Sequence, residues 1–228
     1  MCAGDNFACF SALPPELRLL VWEHALSVWT VWAAAPNSAA GSHLTANRLP
    51  FTMAFVGPVP YLAGLSCREA RRLLERSYVK PVLGPRGTAT IGDVYWVDLK
   101  KTVVYLGGGF NAIAVLDSFS AGGLSKFEHV GLSWYRFQRL ARTCQRLAAL
   151  CPGIRTVIIQ RSESEIATNN STYKPLSLET AAGFANIAEK SGPELGYEQL
   201  DTHHLRALLL DYFGDSPPMF HLLPPGSV

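Results

Sequence analysis

Apolar residues recur along this chain at helical and at alternating spacings, and the changes between the two divide it into elements. Leu13-Pro14-Pro15-Glu16 is a helix start, with proline tolerated in the first turn and an acid that complements the helix dipole. The helix reaches about Ser27. Its apolar residues form two stripes, Leu13, Leu17, Leu20, Val21, Val28 and Leu19, Trp22, Leu26, Trp29, which predicts burial on more than one side. Residues 27–35 then alternate, and their later part reads as a strand. Residues 36–60 are loop-like around an apolar patch, Phe51–Val56, which is either irregular or a short strand. A second helix is predicted at Leu62–Tyr78. After the turn cluster Gly84-Pro85-Arg86-Gly87, two strands, Val94–Asp98 and Thr102–Leu106, are expected to form a hairpin. Gly107-Gly108-Gly109 reads as a flexible turn, since it lacks the spacing of a phosphate loop or dinucleotide fingerprint. Phe137–Cys151 is helical, Ile154–Gln160 is a β-branched buried strand, and 162–175 is a polar loop. Helices are expected at Thr180–Lys190 and Thr202–Phe213. The proline-bearing tail should be extended.

Helices and strands in mixed order, without a regular βαβ rhythm, indicate an α+β fold: a mixed or antiparallel sheet covered by helices. No linker separates unlike halves, so 1–228 is expected to be a single domain. Its core spans about 8–160, a helical extension about 176–214 and the tail 215–228.

Composition narrows the partners. With 48% hydrophobic and 17% charged residues the chain can build a sizeable core, and a net charge of +2 offers no footprint for phosphate backbones. Arg68, Arg71, Arg72 and Arg76 are interleaved with Glu69 and Glu75, so nucleic acid is not expected as a partner. Cys2, Cys9, Cys67, Cys144 and Cys151 lack paired spacing, which suggests reduced thiols and a cytoplasmic location. No stretch approaches the ~20 apolar residues of a membrane span. The sequons at Asn169 and Asn170 are then coincidental.

Two short motifs stand out. Glu16-Leu17-Arg18 lies in LPPELRLLVWEHAL and Glu69-Ala70-Arg71 in LSCREARRLLERSY. Residues two apart on a helix face nearly opposite sides, so each ion needs a partner from elsewhere. Packing of the two helices would allow a reciprocal clamp, Glu16 with Arg71 and Glu69 with Arg18, with a structural role for all four. The pair of motifs resembles the fungal two-EXR domain family. That resemblance implies an architecture rather than an activity, with an aromatic strand pair that Tyr95, Trp96, Asp98 and Tyr105 match loosely. Leu13-Pro14-Pro15-Glu16-Leu17 with its helix also resembles the opening of an F-box, which implies docking to a ubiquitin-ligase adaptor.

Catalytic and metal signatures are missing: no H-E-x-x-H, paired C-x-x-C, G-x-S-x-G or EF-hand loop occurs, so neither cofactor nor metal is expected. Asp201-Thr202-His203-His204 reads as a helix cap rather than a metal site. His24 reads as a contact residue and the cysteines as inert. The aromatic inventory is the remaining clue, and it supports two expectations. One is a cofactor-independent cyclase or isomerase, or a binding protein, for a terpenoid- or polyketide-like lipophilic molecule in fungal specialised metabolism. Trp32, Trp96, Trp134 and Tyr135 would wall its pocket, and Tyr105 or His129 would donate a hydrogen bond to the substrate as the catalytic residue. The other is a protein-interaction module without catalytic activity, built on the F-box-like first helix.

Overall fold

The computed structural model describes residues 8–36, 51–80, 96–108, 110–134, 137–161, 176–190, 207 and 209–223. The chain folds as a single α+β domain around a mixed six-stranded sheet, β1 (Thr30–Pro36), β2 (Phe51–Val56), β3 (Thr102–Gly108), β4 (His129–Trp134), β5 (Thr156–Arg161) and β6 (Met219–Leu223), in the order β2-β1-β3-β4-β5-β6. Only the β1–β2 pairing is antiparallel; the other four are parallel. Sheets of parallel strands bury both faces, which is why Val103-Val104 and Val157-Ile158-Ile159 read as continuous apolar runs.

The expected hairpin does not form. β3 pairs with β1 and β4, while Val97 makes an isolated antiparallel bridge to Val79; Val94 and Tyr95 lie outside the described residues. Residues 98–101 form a turn closed by Lys101 N–H to the Asp98 carbonyl at 3.0 Å, which delivers the chain into β3.

One face of the sheet carries α5 (Phe110–Asp117) and α7 (Phe137–Leu150), packed over Val104, Leu106, Val130, Leu132, Val157 and Ile159. The helix α7 buries Leu140, Cys144 and Leu147, one face at spacings of four and three. The other face is covered by α8 (Leu178–Lys190), whose Ala181, Phe184, Ile187 and Ala188 meet Val31, Ala33, Val103, Tyr105 and Ile158. Short α6 (Ala121–Leu124) links α5 to β4 and is capped by Ser120, whose hydroxyl accepts from Gly123 N–H.

After a short α1 (Ala8–Ala12), the E-x-R helices, α2 (Pro15–Leu26) and α4 (Arg68–Ser77), pack on one another and on α3 (Tyr61–Gly64), beside the sheet instead of over it. They build a separate small core from Leu26, Leu74 and Tyr78 with Tyr61, Leu73 and Trp96. A Cβ on Gly64 would lie 2.7 Å from Leu74 Cβ, so glycine is what allows α3 and α4 this approach. The expectation that α2 is buried on more than one side is not met: Leu26 is its buried residue, and Leu17, Leu19, Leu20 and Val21 are exposed. Of the tail expected to be extended, residues 219–223 are, and they form the sheet's edge strand; residues 224–228 lie outside the described residues.

Candidate functional site

Half of the proposed ionic clamp is present. Arg18 from α2 grips Glu69 in the first turn of α4 through two parallel bonds, Nε to Oε2 at 3.1 Å and Nη2 to Oε1 at 2.8 Å. Its remaining amino group donates to the carbonyls of Leu13 at 2.9 Å and Ser11 at 3.2 Å, so one guanidinium ties the entry to α2 onto α4. The hydrogen bonds from Arg18 hold the Glu69 carboxyl below the usual carboxylate range. The other half does not form: Arg71 bonds Glu75 one turn along its own helix at 3.1 Å, and Glu16 is exposed.

A second tie closes the far end of the helix pair. Tyr78, just past α4, donates its hydroxyl to the Leu26 carbonyl at 2.6 Å inside the small core. That carbonyl belongs to the last turn of α2 and has no intrahelical donor left to it. Tyr78→Phe is therefore expected to cost about 1–3 kcal/mol in urea denaturation, the cost of a buried acceptor left unpaired.

With both ends fixed, α2 holds its outer surface rigidly. Leu17, Leu20 and Val21 follow i, i+3, i+4 spacing and stay exposed, Leu20 at 58%, as do Leu19 on the same helix, Leu62 in α3 and Leu65 just after it. These are large aliphatic side chains on a helix only twelve residues long. A continuation of the same stripe, His24 and Val28, reaches the rim of a groove.

That groove has a volume of about 600 Å³ and lies between the α2–β1 corner, the end of β2 and α8. Val28, Val56 and Pro58 form one side, and Ala181, Ala182 and Ala185 form the other. Buried Val31 lies at its floor, and Trp29, His24, Asn186 and Glu189 add polar groups to its lining. Strand order rises steadily from β1 through β3, β4, β5 and β6, so among the described strands the sheet lacks the reversal point at which open parallel sheets form a ligand crevice at their carboxyl ends. The groove opens at the opposite end, where β1 begins.

The aromatics expected to wall a pocket are not brought together. Trp32 is buried on the α5–α7 face with its ring edge-on to Phe119 at 5.7 Å. Tyr105 is buried on the other face against Phe184 at 5.4 Å. Trp96 joins the α2–α4 core, and the Lys80 ammonium sits 4.4 Å above its ring. Trp134 ends β4, and Tyr135 lies outside the described residues. In a parallel sheet, residues aligned across β1 and β3 share a face; Trp32 aligns with Val104 and Ala33 with Tyr105, so the two expected residues point to opposite sides.

His129 opens β4, 7% exposed, with Trp29 edge-on at 5.0 Å between its ring and the groove side of β1. Burial pushes its imidazole down to about 4, against the opposing pull of the Lys100 carbonyl and with a smaller push from Arg155. It is neutral at physiological pH and a weak proton acceptor. Its Nδ1 and the hydroxyl of Thr156, aligned with it on β5, have no hydrogen-bond partner among the described residues. Burial also pushes the Cys144 and Cys151 thiols up to about 12, which disfavours their thiolate forms. Cys67 is different in use: its sulfur caps α4, accepting from Ala70 N–H at 3.5 Å.

Among the described residues no cluster of three or more His, Cys, Asp or Glu has metal-site geometry, and no helix is long and apolar enough to cross a membrane. Asp201 to His204 lie outside the described residues. Sequence reasoning missed the groove altogether. Its walls are alanine and valine at helix and strand ends, and only the joint exposure of Leu178 and Ala182 on one side of an otherwise core-facing helix marks it. No protein-family model, no characterised protein and no solved structure matches this chain.

Proposed function

We propose that this protein is a protein-interaction module of the cytoplasm, with the outer surface of α2 as its docking face. One observation carries the reading: a short helix tied down by Arg18–Glu69 and Tyr78–Leu26 presents Leu17, Leu19, Leu20 and Val21 to solvent. Exposed aliphatic residues at i, i+3, i+4 on a fixed helix are the anchors used when helices seat in a partner's apolar groove. The partner is an apolar helical surface of the kind that the F-box resemblance of Leu13-Pro14-Pro15-Glu16-Leu17 implies, that of a ubiquitin-ligase adaptor. The E-x-R pair serves this role by positioning α2 against α4, in keeping with the two-EXR resemblance.

The cyclase or isomerase reading needs Trp32, Trp96, Tyr105 and His129 around one substrate, and their dispersal over two faces and a side core leaves it less well supported. Isothermal titration with a purified F-box-binding adaptor tests the docking reading. Wild type is expected to bind, and Leu20→Asp to weaken binding by about tenfold or more with its thermal midpoint unchanged. An adaptor that ignores the wild type, or that binds Leu20→Asp equally well, would overturn it.

A further inference from the structure

We infer that the groove between α8 and the α2–β1 corner is a binding site for a neutral lipophilic small molecule bearing a hydroxyl or carbonyl group. Its volume, about 600 Å³, suits a compact ligand, since small-molecule sites span ~300–1,000 Å³. The α8 side is built from Ala181, Ala182 and Ala185, whose small side chains leave the space beside Val28 and Val56 open. A helix docked there for packing alone would be expected to fill that space with larger residues.

Charge selects the ligand. Among the described residues neither lysine nor arginine lines the groove, and Glu189 contributes a carboxylate to the lining. The Lys101 ammonium, hydrogen-bonded to the Ser27 hydroxyl, keeps its charge but is not itself part of the lining. A carboxylate or phosphate head would therefore meet the like charge of Glu189, and the described lining residues offer it neither lysine nor arginine. A neutral polar group instead finds hydrogen-bonding partners in the Trp29 indole N–H, the His24 imidazole and the Asn186 amide, all part of the lining. These few polar groups would orient a ligand held mainly by apolar contact.

The test is fluorescence titration of the full chain with Nile red, a neutral lipophilic dye, followed by displacement with dodecanol and with laurate. Saturable dye binding is expected, with dodecanol displacing the dye about tenfold more effectively than laurate. Ala182→Trp and Ala185→Phe should each weaken dye binding by about tenfold, while Leu20→Asp, on the docking face, leaves it unchanged. Ala182 is exposed, so its variant is expected to fold even where Ala185→Phe does not. Wild type without saturable binding, or binding that survives Ala182→Trp in a protein of unchanged circular dichroism, would overturn the site. Loss of dye binding in Leu20→Asp alone would move the dye to the docking face and likewise overturn it. Equal displacement by laurate would overturn the assignment of a neutral ligand.

Discussion

Replacing Phe184 by alanine is expected to remove about 3–5 kcal/mol of stability, a large part of the ~5–15 kcal/mol that holds an ordinary domain together. The ring is fully buried under α8 and lies against Tyr105, with centroids 5.4 Å apart and planes inclined at 51°. Room for it comes from Gly131 in the middle of β4: a Cβ there would stand 3.3 Å from Phe184 Cε1 and 3.1 Å from Tyr105 Cδ2. A void left by the truncated side chain faces bare backbone at Gly131 and cannot be refilled from the sheet, so the cavity term adds to the lost transfer energy. Urea denaturation measures the effect, and Phe184→Leu should recover much of it. A loss under ~1 kcal/mol for the alanine variant would mean that α8 is not fixed to the sheet in the way described.

Local periodicity made the longer helices legible, and sheet topology stayed hidden for a physical reason. α7 and α8 fall close to the predicted ranges because each has an apolar stripe and a recognisable end, whereas the helix predicted at Leu62–Tyr78 is broken at 65–67 into α3 and α4. β4 was not foreseen: His129, Gly131 and Ser133 interrupt the apolar run that a central parallel strand usually shows, and Gly131 is there to accommodate Phe184 from another element. β6 was obscured by Pro217, Pro218, Pro224 and Pro225, which bound a strand and do not interrupt it. The hairpin expectation failed because short sequence separation favours hairpins only when nothing competes. Here β1 supplies a partner for β3, pinned by the buried hydrogen bond between the Thr30 and Thr102 hydroxyls at 3.0 Å.

The candidate sites were less legible than the fold. The E-x-R motifs correctly pointed to a contact between their helices, since Arg18 and Glu69 lie 51 residues apart and still form a bidentate pair. They did not reveal that Arg71 would choose Glu75, a partner always one turn away and therefore free of any dependence on how the helices pack. For α2, two apolar stripes were read as burial, yet the pattern alone does not place either stripe against the rest of the domain, and Leu17, Leu19, Leu20 and Val21 are exposed. Whether a stripe is covered depends on exposure, and exposure is a property of the whole fold.

His129 is expected to make stability depend on pH. Its folded-state value of about 4 lies below the ordinary 6.5, so between these limits the unfolded chain takes up a proton that the native protein refuses. The contribution is complete above pH ~6.5 and is lost progressively as pH falls toward 4, by about 3 kcal/mol if the full difference, 6.5 − 4, is realised at ~1.36 kcal/mol per unit. Glu69, held low by Arg18, also loses its favourable interaction in acid, but it does so in wild type and variant alike and drops out of the comparison. Urea denaturation of wild type and His129→Gln at pH 7 and pH 4 isolates the histidine. Wild type should lose about 3 kcal/mol more than the variant over that interval, whatever the variant's cost at pH 7. Equal losses would show that His129 titrates in the native protein as it does in the unfolded chain, and that Trp29 does not shield it. Because Trp29 separates His129 from the groove, a ligand seated there should leave this pH dependence intact, which tells a positioned aromatic wall from an imidazole in contact with the ligand.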